Sequence, residues 1–367
     1  MTPDNSDDAP YFGKRISMQK FAAFLGLLIA FLSFPASASS TNLLFGRGVN
    51  LVGNNGYYTQ STTWATDEGM KYYLGKGMRV FRLGFAWEWI QPRLGGDLDP
   101  TVLAALEREV DFLTGAGATV IVDVHNFMRR DLNFERQPKN EVIIGEAQEV
   151  SAAHFSDLWV RLAMKFKTNP RVMFGIMNEP HDVDGIKLAA TYNTVLKDIR
   201  ATGATNTILL DGYGFAHDLS WTGQPLGKPL GPLVRDPGNN LVIDVHRYLD
   251  DYSAGQKQTC NPGSGATVLV ESTEWARANR MRLFLGEFAV AKNEACYKEL
   301  RDLLAYFAAN SDVWTGYTWF GVYAGQKGYH TPDQGFWYSI DPGGPDAQDF
   351  SGATPDDPRM KILLEGP

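Results

Sequence analysis

Two glutamates stand where a carboxylic acid is costly unless it is used. In RVMFGIMNEPHDV (171–183) an apolar run ends on Asn178 and Glu179, and in RLFLGEFAV (282–290) a second apolar run carries Glu287 near its end. A lone buried carboxyl costs free energy, so these side chains either turn out to water or line a site that uses them. Other β-rich runs also end polar: MRVFRLGF near Arg82, ATVIVDVHN at His125-Asn126, NLVIDVHRY at His246 and Tyr248, and DVWTGYTWFG at Trp319. Two carboxyls facing one cavity suit cleavage of a glycosidic bond, one protonating the departing oxygen while the other attacks the sugar or activates water. Charge logic divides the roles. Arg82 beside Glu287 would hold it ionised as nucleophile, whereas Glu179, farther from the cation and near that negative charge, would keep its proton longer. Tyr248 is then placed to hydrogen-bond Glu287, His246 to orient Glu179, and Asn178 to contact a sugar 2-hydroxyl.

These residues need a scaffold that brings distant strand ends together. Along residues 41–367, eight β-rich runs (the six above with GRGVNLVG and NTILLDG) alternate with amphipathic stretches. In Thr101–Thr114, Leu103, Leu106, Val110 and Leu113 recur at helical spacing; Ala152–Phe166, Leu188–Ala201, Thr267–Asn279 and Glu294–Ala309 read the same way. Eight such alternations predict a single-domain α/β (β/α)8 TIM barrel, in which every strand's C-terminal end opens on one face. A doubly wound open sheet is the competitor, and it lacks its Gly-rich phosphate loop after the first run.

The N-terminus reads as a separate segment. Phe21–Phe34 is an uncharged apolar run, too short for a spanning helix, preceded by Lys14, Arg15 and Lys20 and followed by Ala36-Ser37-Ala38. Residues 1–38 are therefore expected to be a signal peptide and 39–367 the catalytic domain, with Met18 a candidate true start; an uncleaved anchor is the alternative. Residues 1–38 hold three acids and three bases, so the remainder keeps the formal charge of −8. That balance argues against nucleic acid or an anionic membrane as partner. Cys260 and Cys296, the two cysteines, are expected to pair in an oxidising compartment, extracellular or periplasmic. Two separate buried thiols are the alternative, disfavoured because Cys260 lies in a polar Gly/Pro/Gln stretch. The chain is expected to act as a monomer.

Indoles in loops above a barrel mouth suit stacking on sugar faces, which makes Trp87, Trp89, Trp221 and Trp337 candidates; Trp159 and Trp314 read as core. HDVDG (181–185) contains D-x-D-G but not the other calcium-loop ligands, so no metal is expected and Asp182 reads as a cap for the next helix. Gly263-Ser264-Gly265 lacks the spacing and context of a nucleophilic serine.

The phrases FGIMNEPHDV, RLGFAWEW, LGGDLD, IVDVHNF, DVHRYLD and NSDVWTGY, in order between Gly46 and Pro342, resemble secreted endo-β-1,4-glucanases of glycoside hydrolase family 5, closest to the fungal-type subfamily. The resemblance implies a retaining cellulase without metal or cofactor that acts on β-glucan, with Glu179 as acid/base and Glu287 as nucleophile. It places Arg82, His125, Asn178, His246, Tyr248 and Trp319 around the substrate, and it also implies a Cys260–Cys296 disulfide. Departures from the family pattern are Phe288-Ala289 after Glu287 and the stretch FGVYAGQKGYH (320–330), both of which bear on substrate choice. No linker or cellulose-binding module is found, which favours soluble or amorphous glucan. A β-mannanase, a xyloglucanase or a non-catalytic glucan-binding protein are the rival readings.

Overall fold

Strands buried on both faces read as nearly continuous apolar runs, and the runs in this chain close into a parallel barrel. The computed structural model describes residues 44–52, 64–134, 139–223, 229–326 and 336–367; the expected signal peptide lies outside the described residues. Its strands are β1 (Gly46–Leu51), β2 (Val80–Phe85), β3 (Thr119–Val124), β4 (Val172–Gly175), β5 (Ile208–Asp211), β6 (Leu241–His246), β7 (Leu283–Phe288) and β8 (Trp314–Val322). They run around a closed ring in the order β1-β8-β7-β6-β5-β4-β3-β2, every neighbouring pair parallel. The expected (β/α)8 fold is the observed one.

The longer helices among the described residues are α1 (Asp67–Gly75), α2 (Pro100–Gly115), α3 (Ala152–Phe166), α4 (Gly185–Ala201), α5 (Val270–Asn279), α6 (Glu294–Ala309) and α7 (Pro358–Glu365). Their starts carry chemical signals. The Asp99 carboxylate accepts from the amides of Thr101 and Val102 with Pro100 in the first turn, and Ser151 and His154 form a reciprocal capping box. Asp184, not Asp182, caps α4: its carboxylate accepts from Ile186 and Lys187, while Asp182 is exposed and bonds the His181 ring. Among the described residues of the crossover after β5, the helical elements are short turns, Tyr213–Ala216 and Asp218–Ser220. An antiparallel ribbon of Arg129–Asp131 and Glu141–Ile143, not foreseen from the sequence, follows β3.

Inside the barrel, side chains stack in layers with the two-residue period of strands. Val80, Ile121, Met173, Leu209, Val242 and Phe284 form an apolar floor with Phe45 packed against it. Two residues further along the same strands come Arg82, Asp123, Gly175, Asp211, Asp244 and Gly286, a layer rich in charge. Glycine is needed at the last position, because a Cβ there would lie 2.1 Å from Asp244 Oδ1. Cys260 and Cys296 are bonded (S–S 2.07 Å), tying the loop after β6 to the first turn of α6. Among the described residues no helix is long and apolar enough to cross a membrane.

Candidate active site

Arg82 organises the mouth from below. It lies within β2 rather than at its end, and its long side chain rises to meet residues from four other strands or their ends. Its Nη1 donates to Glu287 Oε1 (2.7 Å) and Asn50 Oδ1 (3.1 Å), and its Nη2 to Asn178 Oδ1 (2.7 Å) and Asp123 Oδ1 (3.0 Å). Burial alone would lower the guanidinium pKa, but Asp123, Glu287 and Asp244 outweigh it and the net shift is upward, so the cation is fixed.

Glu287, at the end of β7, is held on both oxygens, since the Tyr248 hydroxyl donates to Oε2 at 3.2 Å. Glu179 follows β4 with a left-handed backbone (φ 44°), a conformation uncommon outside glycine. Its amide donates to Asp211 Oδ2 (2.8 Å), and its Oε1 lies 2.7 Å from His246 Nδ1. One carboxylate oxygen of Glu179 and one of Glu287 lie within 4.8 Å of each other and of a ring nitrogen of His246. Asn178 Nδ2 is buried without a hydrogen-bond partner, a donor to spare beside the oxygen that accepts from Arg82. His125 Nδ1 lies 3.0 Å from Asp123 Oδ2.

The electrostatics separate the two acids. Glu179 is pushed well above the ordinary carboxyl range by burial and then by the Glu287 charge. Glu287 also rises, because burial outweighs the lowering by Arg82, His125 and the Tyr248 hydrogen bond. The adjacent arginine therefore moderates the shift of Glu287 without reversing it. Burial, Arg82 and His125 keep His246 neutral, well below the usual histidine pKa. A neutral imidazole beside Glu179 can accept its proton's hydrogen bond, or donate to it once ionised, according to tautomer.

Asp123, Asp211 and Asp244 surround these groups at full burial and were not singled out in the sequence. Burial and the Asp244 charge push Asp211 well above the usual range, and burial lifts Asp244 to about 8. One arginine cannot neutralise five carboxyls, so some of this set carry protons. Two of these aspartates were legible: D-V-H occurs twice, and an Asp two residues before an inward His shares its face. Two donor sets, Glu179/His246/Glu287 and Asp211/Asp244/His246, have the proximity a cation would need, but the Arg82 charge already serves the carboxylates of both.

Of the tryptophans expected to meet substrate, Trp87, Trp319 and Trp221 are buried instead. Trp87 is fully buried: its Nε1 donates to Gln91, its ring meets Phe155, and the Arg130 guanidinium lies 4.5 Å over it. Trp319 is also fully buried, against Phe288 and under Arg359, with Nε1 donating to the Tyr338 carbonyl. Its neighbour Phe320 is half-buried and edge-on to Tyr248 (6.3 Å), whose hydroxyl donates to Glu287. Trp221 is buried as well, Trp89 and Trp337 are half-buried, and Trp159 and Trp314 are in the core as expected.

Comparison with known proteins places this geometry. Residues 43–321 match the family model for cellulase, glycosyl hydrolase family 5. Endoglucanase 1 of Robillarda sp. is 34% identical over 65% of this chain and 64% of its own length, so the chain spans just under two thirds of that relative. Endo-beta-1,4-glucanase B of Aspergillus niger is 30% identical over 71% of this chain and 76% of its own. Among solved structures, an endo-beta-1,4-glucanase of Xanthomonas axonopodis pv. citri superposes with a TM-score of 0.76 at 34% identity, covering 88% of this chain and 98% of that one. A barrel with paired acids at its mouth, matched by that model over most of its length, belongs to the cellulases of glycosyl hydrolase family 5.

Proposed function

We propose that the chain is a retaining endo-β-1,4-glucanase, with Glu287 as nucleophile and Glu179 as acid/base. The observation that carries this reading is the pair itself: one carboxylate locked by Arg82 and Tyr248, the other driven to hold its proton, with oxygens within 4.8 Å. Retention needs carboxyls about 5 to 5.5 Å apart, whereas inversion leaves room for water at about 6.5 to 9.5 Å. One oxygen of each acid within 4.8 Å of the other is compatible with the shorter spacing, and the first-formed anomer decides between the two outcomes.

In the first step a Glu287 oxygen attacks the anomeric carbon as the bond to the leaving sugar breaks, and the Glu179 proton passes to the departing oxygen. In the second, Glu179, now a carboxylate, takes a proton from water, whose oxygen displaces Glu287 from the anomeric carbon and restores both acids. The transition state is oxocarbenium-like, and the Asn178 Nδ2 donor is placed for a 2-hydroxyl contact that strengthens there. His246 orients Glu179 through Nδ1, and Tyr248 restrains Glu287. Residues 1–38 act as an export signal, and the disulfide suits the oxidising compartment beyond it. The substrate is a β-1,4-glucan.

The test is incubation of residues 39–367 with carboxymethylcellulose, barley β-glucan and mannan, following viscosity, reducing ends and the first-formed anomer by NMR. A rapid viscosity drop on the glucans with β-anomer product is expected. Activity on mannan alone would move the substrate, an α-anomer product would reject retention, and silence on all three would reject the enzyme reading.

A further inference from the structure

His246 has one ring nitrogen that meets the acids and one left without a partner. Its Nδ1 lies 2.7 Å from Glu179 Oε1 and 3.7 Å from Glu287 Oε2, whereas its Nε2 is buried with no hydrogen bond. Asp211 Oδ2 lies 3.7 Å from that Nε2, and the same oxygen accepts from the Glu179 amide at 2.8 Å. Asp211 thus stands beside both members of the Glu179–His246 pair. It is itself fixed, being 1% exposed and with the Tyr192 hydroxyl donating to its backbone carbonyl at 2.9 Å. The amide it holds belongs to the residue with the left-handed backbone (φ 44°), so it also secures the turn that aims Glu179.

A neutral imidazole carries its hydrogen on one nitrogen, and the chemistry at Glu179 depends on which. With Nδ1 bare, the acid proton sits on Oε1 and points at the ring, away from the sugar; once it has left, two lone pairs face each other at 2.7 Å. With the hydrogen on Nδ1, Oε1 accepts it in both ionisation states, and the acid proton occupies Oε2, free for the glycosidic oxygen. This productive form leaves Nε2 bare, and a buried acceptor calls for a donor.

We propose that Asp211 is a positioning residue: its carboxyl donates to His246 Nε2, selects the Nδ1–H tautomer, and so keeps the Glu179 proton on the oxygen turned to the sugar. This rests on the reading of Glu179 as acid/base. The 3.7 Å separation exceeds a hydrogen bond by about 0.5 Å, and such contacts tighten when substrate binds. Donation requires the acid form, which the surroundings favour. Asp211 faces Asp244 from β6, Asp123 from β3 and Arg82 from β2, besides Glu179 after β4 and Tyr192 on α4; His246 faces Glu287 from β7 and His125 after β3. Burial and the Asp244 charge outweigh Arg82, so Asp211 keeps its proton well above the usual carboxyl range.

The test reads the tautomer from nitrogen-15 shifts of histidine-labelled protein, with the His246 signals assigned by their loss in His246→Gln. Wild type is expected to be Nδ1–H. Asp211→Asn, whose amide group can donate to Nε2 and still accept from Glu179, should keep that tautomer, whereas Asp211→Ala, with no donor, should shift towards Nε2–H. In kcat/KM, the Ala variant should lose about tenfold more on cellopentaose than on a dinitrophenyl β-cellobioside, whose leaving group needs little proton donation, and the Asn variant should recover most of that difference. Melting checks that each variant folds, and the wild-type spectrum decides the tautomer without either. A wild-type His246 protonated at Nε2, an Ala variant with unchanged tautomer, or an Asn variant as impaired as Ala would overturn the proposal. A wild type inactive on both substrates would overturn the acid/base reading of Glu179 instead.

Discussion

Asp244 allows a quantitative test of the charge layer beneath the acids. Its Oδ2 lies 4.0 Å from Arg82 Nε, and its Oδ1 has no hydrogen-bond partner. Folding raises its pKa from 3.8 to about 8, chiefly through burial, with Asp123 and Glu287 pushing the same way against Arg82. Between those two values the folded chain holds a proton that the unfolded chain has lost, so stability is fully present below about pH 4 and falls as pH rises towards 8. About four pH units at 1.36 kcal/mol each set an upper bound of ~6 kcal/mol. Asp211, Glu179 and Glu287 share protons with Asp244, so a single substitution can remove roughly half of that, ~3 kcal/mol. Asp244→Asn is near-isosteric and does not titrate. In urea unfolding, its stability relative to wild type should improve by ~2–3 kcal/mol between pH 5 and pH 8. A wild-type-to-variant difference that stays constant with pH would rule this out, because it would mean that Asp244 is already ionised in the folded chain throughout the range.

Tyr248→Phe removes the hydroxyl that lowers the Glu287 pKa, so the acid limb of kcat/KM should move to higher pH and kcat should fall about tenfold or more, read from a pH–rate profile. Trp87→Phe should lower the melting temperature, costing ~1–3 kcal/mol through lost packing and the Gln91 hydrogen bond, while leaving KM for cello-oligosaccharides within about twofold. Glu179→Gln should keep more of its glycosylation rate on aryl glycosides with good leaving groups than on cellulosic substrates, since the former need less proton donation. An equal loss on both, measured by pre-steady-state release of the leaving group, would count against Glu179 as acid.

The barrel was legible because eight β-rich runs with helical spacing between them leave few alternatives, and strand direction then converts scattered strand-end residues into one mouth. Glu179, Glu287, His246 and Tyr248 were found on that logic and do converge. Arg82 converges too, although it lies within its strand: side-chain length rather than position brings it to Glu287. Trp87 and Trp319 failed because burial of an indole depends on what packs over it. The ribbon residue Arg130 and α3 residue Phe155 cover the first, Arg359 and Phe288 flank the second, and no local pattern announces such distant partners.

A retaining mechanism stands or falls on a covalent bond between Glu287 and the sugar. Incubation with an activated 2-deoxy-2-fluoro-β-cellobioside, followed by intact mass and peptide mapping, looks for that bond directly. A stoichiometric adduct on the peptide carrying Glu287 is expected, with activity lost in step with labelling. Turnover of natural substrate by a protein that takes no label, or a label on Glu179 instead, would contradict the assignment.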